Sequence, residues 1–243
     1  VVEGAVEPSV QLLDVVDEQD RVVGQATRRE VRARRLLHRF SSVLCRDGAG
    51  RLYVHRRTDD KDVYPGMYDL AAGGVLAAGE TYLEAARREL AEELGVAGPE
   101  PRFLFRHRYR GRENPSWSAT FEVTWDGPIT PQASEIAWGG FLTMDELAAR
   151  LQQWPFRPDG LEIFRRWQTQ QGELDVLIAE RDRRAREAEE LRLAMDEIEA
   201  AAPQRGEDEE LAERAERLTN LEDLRLAAVE AQESVSAQFA DDA

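Results

Sequence analysis

Features typical of secreted and membrane proteins are scarce in this chain of 243 residues. Cys45 is the only cysteine, so a disulfide within the chain is excluded, and we expect a buried thiol at this position. No apolar run approaches the ~18 residues that a membrane-spanning helix needs. Residues 1–10 lack the basic and apolar regions of a secretory signal peptide. We therefore expect a cytoplasmic protein that does not associate with a membrane.

Basic side chains are in the minority, and the excess of acid lies mostly at one end. The net charge is −16, and residues 172–243 account for most of it, with 22 acidic side chains against 9 arginines. Lys61 is the only lysine, so nearly all fixed positive charge comes from arginine. Because an acidic surface repels the phosphate backbone of nucleic acids, we expect no nucleic-acid partner.

Residues 74–96 carry the strongest functional pattern of the chain. Its defining positions combine glycines, one arginine, four glutamates and two aliphatic residues: Gly74, Glu80, Arg88, Glu89, Leu90, Glu92, Glu93, Gly95 and Val96. The pattern predicts a glycine-containing loop followed by a helix. Thr81 is the expected N-cap with Glu84 as its capping-box partner, and Gly95 is the expected C-terminal stop.

The predicted helix has a flank of carboxylates beside an apolar flank. At about 100° per residue, Glu89, Glu92 and Glu93 lie close together, next to the apolar Leu90. Carboxylates this close repel each other unless a cation neutralises them, and their hard oxygen atoms suit Mg²⁺ or Mn²⁺. Arg88 can hold one of these carboxylates in place. The alternative is a solvated acidic helix face, which would not require glycines at fixed spacing.

The nine positions match the Nudix box, Gly-x5-Glu-x7-Arg-Glu-U-x-Glu-Glu-x-Gly-U, where U is aliphatic. The chain therefore resembles the Nudix hydrolase superfamily, which implies metal-assisted cleavage of a diphosphate linkage. The resemblance also implies the site residues, which are the metal ligands Glu89, Glu92, Glu93 and Gly73 and the catalytic or orienting residues Glu89, Arg88 and Glu80. Which glutamate acts as the general base stays open, because it varies within the superfamily.

Two stretches outside the box, VVDEQDRVVGQATRREVRARRLLHRFSS and HRRTDDKDVYPGMYDLAAGG, resemble the isopentenyl-diphosphate-isomerase-like branch of the superfamily. The isomerase needs a catalytic cysteine just before the box and several histidine ligands. Gly73 stands where that cysteine belongs and Val75 where a histidine belongs, so hydrolysis is favoured over isomerisation. A regulatory protein that senses a nucleotide or metabolite and signals through its C-terminal helices is a further hypothesis.

The substrate and an additional metal ligand are sought outside the box. Arg56, Arg57 and Lys61 are candidate contacts for the phosphates of a nucleoside-diphosphate-type substrate. Strand alternation places Arg56 on the opposite face from Arg57, so the three cannot all face one ligand. Glu135 is a candidate metal ligand, because many Nudix enzymes take a further acid from a downstream strand or loop.

Two regions with different composition divide the chain. Residues 1–171 predict one α/β domain, and the resemblance implies the Nudix α/β/α sandwich with a mixed sheet. Residues 172–243 are rich in Ala, Glu, Arg and Leu, with apolar residues 3 or 4 positions apart and a break at 203–206. We interpret them as an acidic helical hairpin or coiled coil. The extension would form a homodimer, bind a protein partner, pack on its own domain or stay partly disordered.

Overall fold

The computed structural model describes residues 10–111 and 114–240, with side chains as far as residue 232. The chain forms two compact units, of which the first ends at Glu173 and the second begins at Leu174. The elements in chain order are β1 (Leu12–Val16), β2 (Val22–Thr27), α1 (Arg28–Arg34), β3 (His38–Arg46), β4 (Leu52–Arg57), β5 (Tyr68–Asp69), β6 (Ala72–Val75), α2 (Tyr82–Leu94), β7 (Arg102–Tyr109), β8 (Ser116–Thr124), β9 (Ile136–Leu142), α3 (Met144–Arg150), α4 (Pro158–Ala201) and α5 (Glu207–Ala240).

The first unit is built on a mixed sheet, as predicted. β3 pairs in parallel with β8 along its whole length and antiparallel with β6. β4 pairs antiparallel with β5 and β9. β3 and β4 follow each other in the chain but are paired only beside their turn, at Arg46 and Leu52. They then part because each has other partners, and β6 with its glycines takes the place beside β3.

Helices cover both faces of this sheet. Side chains of β3 alternate, so that Val43 and Cys45 join the apolar cluster under α2, whereas Leu44 joins the cluster under α3 and α4. Phe164 and Trp167 anchor the first turns of α4 in the second cluster. The α/β/α sandwich is therefore confirmed. Burial raises the pKa of the Cys45 thiol to about 12, as expected for an unreactive core thiol.

The box helix α2 begins and ends where the sequence predicts. The Thr81 side chain accepts a hydrogen bond from the Glu84 backbone N–H, and the Glu84 carboxylate accepts one from the Thr81 N–H at 2.9 Å. Gly95 ends the helix in the left-handed conformation, with φ 66°. These caps fix the length of α2 and therefore the rotation at which its glutamates face the sheet.

A single helix, α4, crosses the boundary that we predicted between residues 171 and 172. The end of the predicted domain and the start of the predicted helical extension form one helix, Pro158–Ala201. Gly172 lies inside it, because one glycine costs only about 1 kcal/mol among strong helix formers. The two compact units divide inside this helix, at residues 173 and 174.

The extension consists of two helices, the rest of α4 and α5, with a break between them near Pro203, as predicted. Its large apolar side chains remain exposed wherever the structure describes them, so the hairpin is not packed along an apolar seam. Among the described helices, none combines the length and apolar content that a membrane crossing requires.

A buried ion-pair cluster joins β5 to the start of α4. Arg157 donates to Asp69 Oδ2 at 2.5 Å and, through Nη2, to Asp159 Oδ2 at 2.5 Å, and all three side chains are buried. Burial alone would raise the pKa of Asp69, but Arg157 and its neighbours hold it below its usual value. The cluster therefore depends on the guanidinium, since removing it leaves two carboxylates buried without a cation.

We expect Arg157→Met to lower the free energy of unfolding by about 3–5 kcal/mol, because it leaves the buried carboxylates of Asp69 and Asp159 without their cation. Urea denaturation followed by circular dichroism measures this loss. Arg165→Met is the matched control, since Arg165 is an exposed arginine of α4, the helix that Arg157 precedes. Equal stability of the two variants would contradict the structural role of the cluster.

Candidate active site

Close backbone approach brings the carboxylates of α2 against β6. The backbone N–H of Gly73 donates to Glu93 Oε2 at 3.0 Å. A Cβ atom on Gly74 would lie 2.1 Å from Glu89 Oε1, and one on Gly73 would lie 2.1 Å from the Ser41 carbonyl oxygen. A side chain at Gly73 would collide with the backbone of β3, and one at Gly74 would displace the Glu89 carboxylate. The two glycines therefore let the carboxylates of α2 approach β6.

The glutamates of the box differ in exposure. Glu89 and Glu93 are buried, whereas the side chain of Glu92 is 55% exposed. Burial raises the pKa of Glu93 well above its usual value, and the nearby Glu89 and Glu135 raise it further. Burial also raises the pKa of Glu89, although Arg88 opposes this. Two buried carboxylates in this state favour the uptake of positive charge, either as protons or as a cation.

Arg88 holds the acidic cluster together. Its Nε and Nη2 atoms donate to the two oxygens of Glu80 at 2.8 and 3.0 Å. Its Nη1 atom donates to Glu89 Oε1 at 2.6 Å and to Glu92 Oε2 at 3.2 Å. Glu80 itself accepts from the Ala77 N–H at 2.8 Å. Glu80 thus fixes the guanidinium, and the guanidinium orients the two glutamates of α2.

The acidic cluster forms one wall of a cavity of about 1060 Å³. The cavity brings together nearly all the site residues predicted from sequence, namely Gly73, Glu80, Arg88, Glu89, Glu92, Glu93, Glu135, Arg57 and Lys61. Glu135 lies just before β9, and its Oε2 atom is 2.5 Å from Lys61 Nζ. The loop after β4 and the start of β9 therefore meet at this cavity.

Of the predicted site residues, Arg56 alone is not among the described residues that line the cavity. It pairs with Asp59 at 2.5 Å and stands opposite Tyr68 and Trp138 in the strand register. Arg57, its neighbour, is buried and donates to the Val63 carbonyl oxygen at 3.3 Å. The alternation of β4 accounts for the difference, as the sequence predicted.

Other basic residues of the cavity were missed from sequence. Arg28 and Arg32 lie one turn apart on α1, and Arg157 lies just before α4. Arg32 pairs with Asp62 at 2.5 Å. The Arg28 Nε atom is buried and has no hydrogen-bond partner among the described residues, and burial lowers the pKa of this side chain. Arg28 and Arg32 are four residues apart, a spacing that predicts one common helix face. It did not show which cavity that face of α1 would line.

The residues present fit a hard divalent cation in their chemistry. Among the described residues, no three His, Cys, Asp or Glu side chains converge to ligate an ion as they stand. The Nη1 atom of Arg88 bonds both Glu89 and Glu92, and Glu93 accepts from Gly73. The donors are nevertheless all oxygens, the set that Mg²⁺ and Mn²⁺ prefer. The buried negative charge of two glutamates is what such an ion would neutralise.

Known proteins are similar to this chain in sequence and in fold. The family described as NUDIX domain matches residues 36–167. The uncharacterized Nudix hydrolase SCO1686 of Streptomyces coelicolor is 48% identical over 172 residues, which covers 70% of this chain and 95% of that protein. The uncharacterized Nudix hydrolase YfcD of Escherichia coli K12 is 38% identical over 159 residues, 65% of this chain and 87% of that protein.

Among solved structures, DR0079 from Deinococcus radiodurans is similar to this chain, with 31% identity and a TM-score of 0.56. The similarity covers 64% of this chain and 98% of DR0079. It extends the agreement from sequence to fold. This chain therefore belongs to the Nudix hydrolase family, whose enzymes act on phosphorus-containing acid anhydrides.

Proposed function

We propose that this chain uses Mg²⁺ or Mn²⁺ to hydrolyse the diphosphate linkage of a nucleoside-diphosphate-type substrate, with water attacking phosphorus. One observation carries the proposal: a single cavity is lined both by two buried glutamates and by two arginines that make no ion pair within the described residues. The glutamates are Glu89 and Glu93, and the arginines are Arg28 and Arg57. A bound cation would neutralise the glutamates, and the phosphates of the substrate would neutralise the arginines.

The acidic wall would hold the cation. Glu89, Glu92, Glu93 and the carbonyl oxygen of Gly73 are the proposed ligands, with Glu135 as a further one. When bound, a divalent cation polarises phosphoryl oxygens and makes water more acidic. Glu92 is exposed and can turn toward its neighbours, so it can leave Arg88 without disturbing the core.

Residues of α2 would also handle the attacking water. Glu89 is held by Arg88, which Glu80 in turn fixes with two hydrogen bonds. A carboxylate with so little freedom is well placed to accept the proton of the water molecule. Arg88 and Glu80 act as positioning residues, since both are engaged with each other and with the backbone.

The basic wall would bind the phosphates. Arg57 and Lys61 come from β4 and the loop after it, and Arg28 comes from α1. A guanidinium that is already desolvated and has no acidic partner gives a strong, charge-assisted hydrogen bond to a phosphoryl oxygen. Arg56 is dropped from this set, because it pairs with Asp59 on the other face of β4.

The two alternatives are less well supported. The comparisons give no support to a regulatory sensor, and the carboxylates of the box are complete. The isomerase requires a cysteine at the site, but the single cysteine of this chain lies in the core under α2. Hydrolysis is the function that the residues of the cavity can perform.

A screen of diphosphates with Mg²⁺ and Mn²⁺ tests the proposed activity. It includes nucleotides, nucleotide sugars, dinucleoside polyphosphates, ADP-ribose, coenzyme A and isopentenyl diphosphate. We expect metal-dependent hydrolysis of one class, with kcat lowered at least ~100-fold in Glu93→Gln, because a first ligand of the cation is weakened. Glu100→Gln, an exposed glutamate beyond α2, is the control and keeps full activity. Wild-type turnover by Glu93→Gln would refute the mechanism.

Two pairs of neighbouring arginines test the basic wall. Arg28→Met and Arg57→Met should each raise KM about 10- to 100-fold, because one charge-assisted hydrogen bond to the substrate is lost. The adjacent variants Arg29→Met and Arg56→Met should leave KM unchanged, since neither side chain lines the cavity. Equal effects within either pair would show that net charge, and not the cavity, determines substrate binding.

A further inference from the structure

The extension beyond Glu173 exposes more large apolar side chains than a helix in water tolerates without a partner. Among its residues whose side chains the structure describes, the large apolar ones are between 40% and 66% exposed, and they are Leu174, Val176, Leu177, Ile178, Leu191, Leu193, Met195, Ile198, Leu211, Leu218, Leu221, Leu224, Leu226 and Val229. Long helices in proteins owe most of their stability to packing of one face. Exposed apolar surface of this extent marks an interaction surface.

A seven-residue repeat orders many of these side chains. In α4 the a positions are Leu174, Arg181, Ala188 and Met195, and the d positions are Leu177, Arg184, Leu191 and Ile198. In α5 the a positions are Leu211, Leu218 and Arg225, and the d positions are Arg214, Leu221 and Ala228. A repeat of this period winds helices into a left-handed coiled coil. The extension therefore has the seam of a coiled coil, and the seam is uncovered.

Arginines in the seam do not exclude a coiled coil. Arg184 pairs with Glu180 at 2.6 Å and Arg181 with Asp182 at 2.7 Å, each on its own helix. Their charges are thus balanced, and their aliphatic stems can lie across the seam. A polar residue at a core position fixes the register of a coiled coil, at some cost in stability.

We propose that the extension is the interface of a parallel homodimer, in which α4 from Leu174 onward pairs with the same segment of a second copy. In a parallel pair, each g position faces the e position of the next heptad of the other helix. Glu187 at g then faces Arg192 at e of the second copy, and the reverse pair forms as well. In an antiparallel pair, g positions face each other, and Glu180 and Glu187 would repel.

The second helix carries the same complementarity. Arg217 at a g position stands five residues before Glu222 at an e position, so these two also meet across a parallel pair. Charge complementarity with itself is what selects a second copy as the partner. SCO1686 is matched over 95% of its length by 70% of this chain, which leaves it too few residues for a counterpart of the extension. The interface is therefore an addition to the catalytic unit that the two proteins share.

Sedimentation equilibrium of the full chain tests the proposal, with an expected mass twice the 27.5 kDa of one chain. Leu191→Glu places a charge in the seam and should raise the dissociation constant at least ~100-fold. Leu193→Glu is the matched control, because Leu193 is 57% exposed and Leu191 60%, yet only Leu191 lies in the seam. A monomeric wild-type chain, or a dimer that withstands Leu191→Glu, would overturn the proposal.

A charge swap tests the orientation separately. Glu187→Arg and Arg192→Glu should each weaken the dimer, and the double variant should restore it. Residues five apart do not contact each other on one helix, so the recovery must come from contacts between copies. In addition, Leu191→Cys treated with a thiol oxidant should give a disulfide that joins the two copies. The buried Cys45 should not compete for it. A double variant no tighter than the single ones would rule out the parallel register.

Discussion

The burial of Glu89 and Glu93 against the backbone of β6 is the constraint on which the rest of the site depends. Two like charges inside a protein are unfavourable unless opposite charge or hydrogen-bond donors compensate them. The Gly73 N–H and the Arg88 guanidinium give part of this compensation. The remainder can come from protons or from a cation, and the proposed chemistry relies on the cation.

The charged residues of the cavity come from elements that are far apart in the sequence. The acidic wall comes mainly from α2, which lies within the segment that matches the NUDIX family, residues 36–167. Arg28 comes from α1, which precedes that segment. Of the proposed phosphate contacts, Arg57 and Lys61 lie within the matched segment, and Arg28 adds one from outside it. In the proposed function, a change in α1 would alter substrate binding without touching the glutamates of α2.

Local patterns predicted the local structure, whereas the pairing of distant strands could not be predicted from the sequence. The caps of α2, Thr81 and Gly95, act within one helical turn, so their residue types suffice to place them. The separation of β3 from β4 depends on partners more than 30 residues away, such as β8. Arg28 and Arg157 were missed for the same reason, since only the tertiary fold shows which cavity an arginine faces. The sequence also did not show that α4 continues through residues 171 and 172, because the composition changes there while strong helix formers carry the helix past Gly172.

The single lysine of the chain has a consequence for chemical labelling. Lys61 lies on the wall of the cavity, with its side chain 18% exposed and its amine paired with Glu135. Every other basic side chain except the three histidines is an arginine, which amine-directed reagents leave unmodified. Acylation or reductive methylation of side-chain amines is thus confined to this cavity. The reactivity of Lys61 therefore reports on the cavity. It should change when a cation competes for Glu135 or an anion competes for the amine.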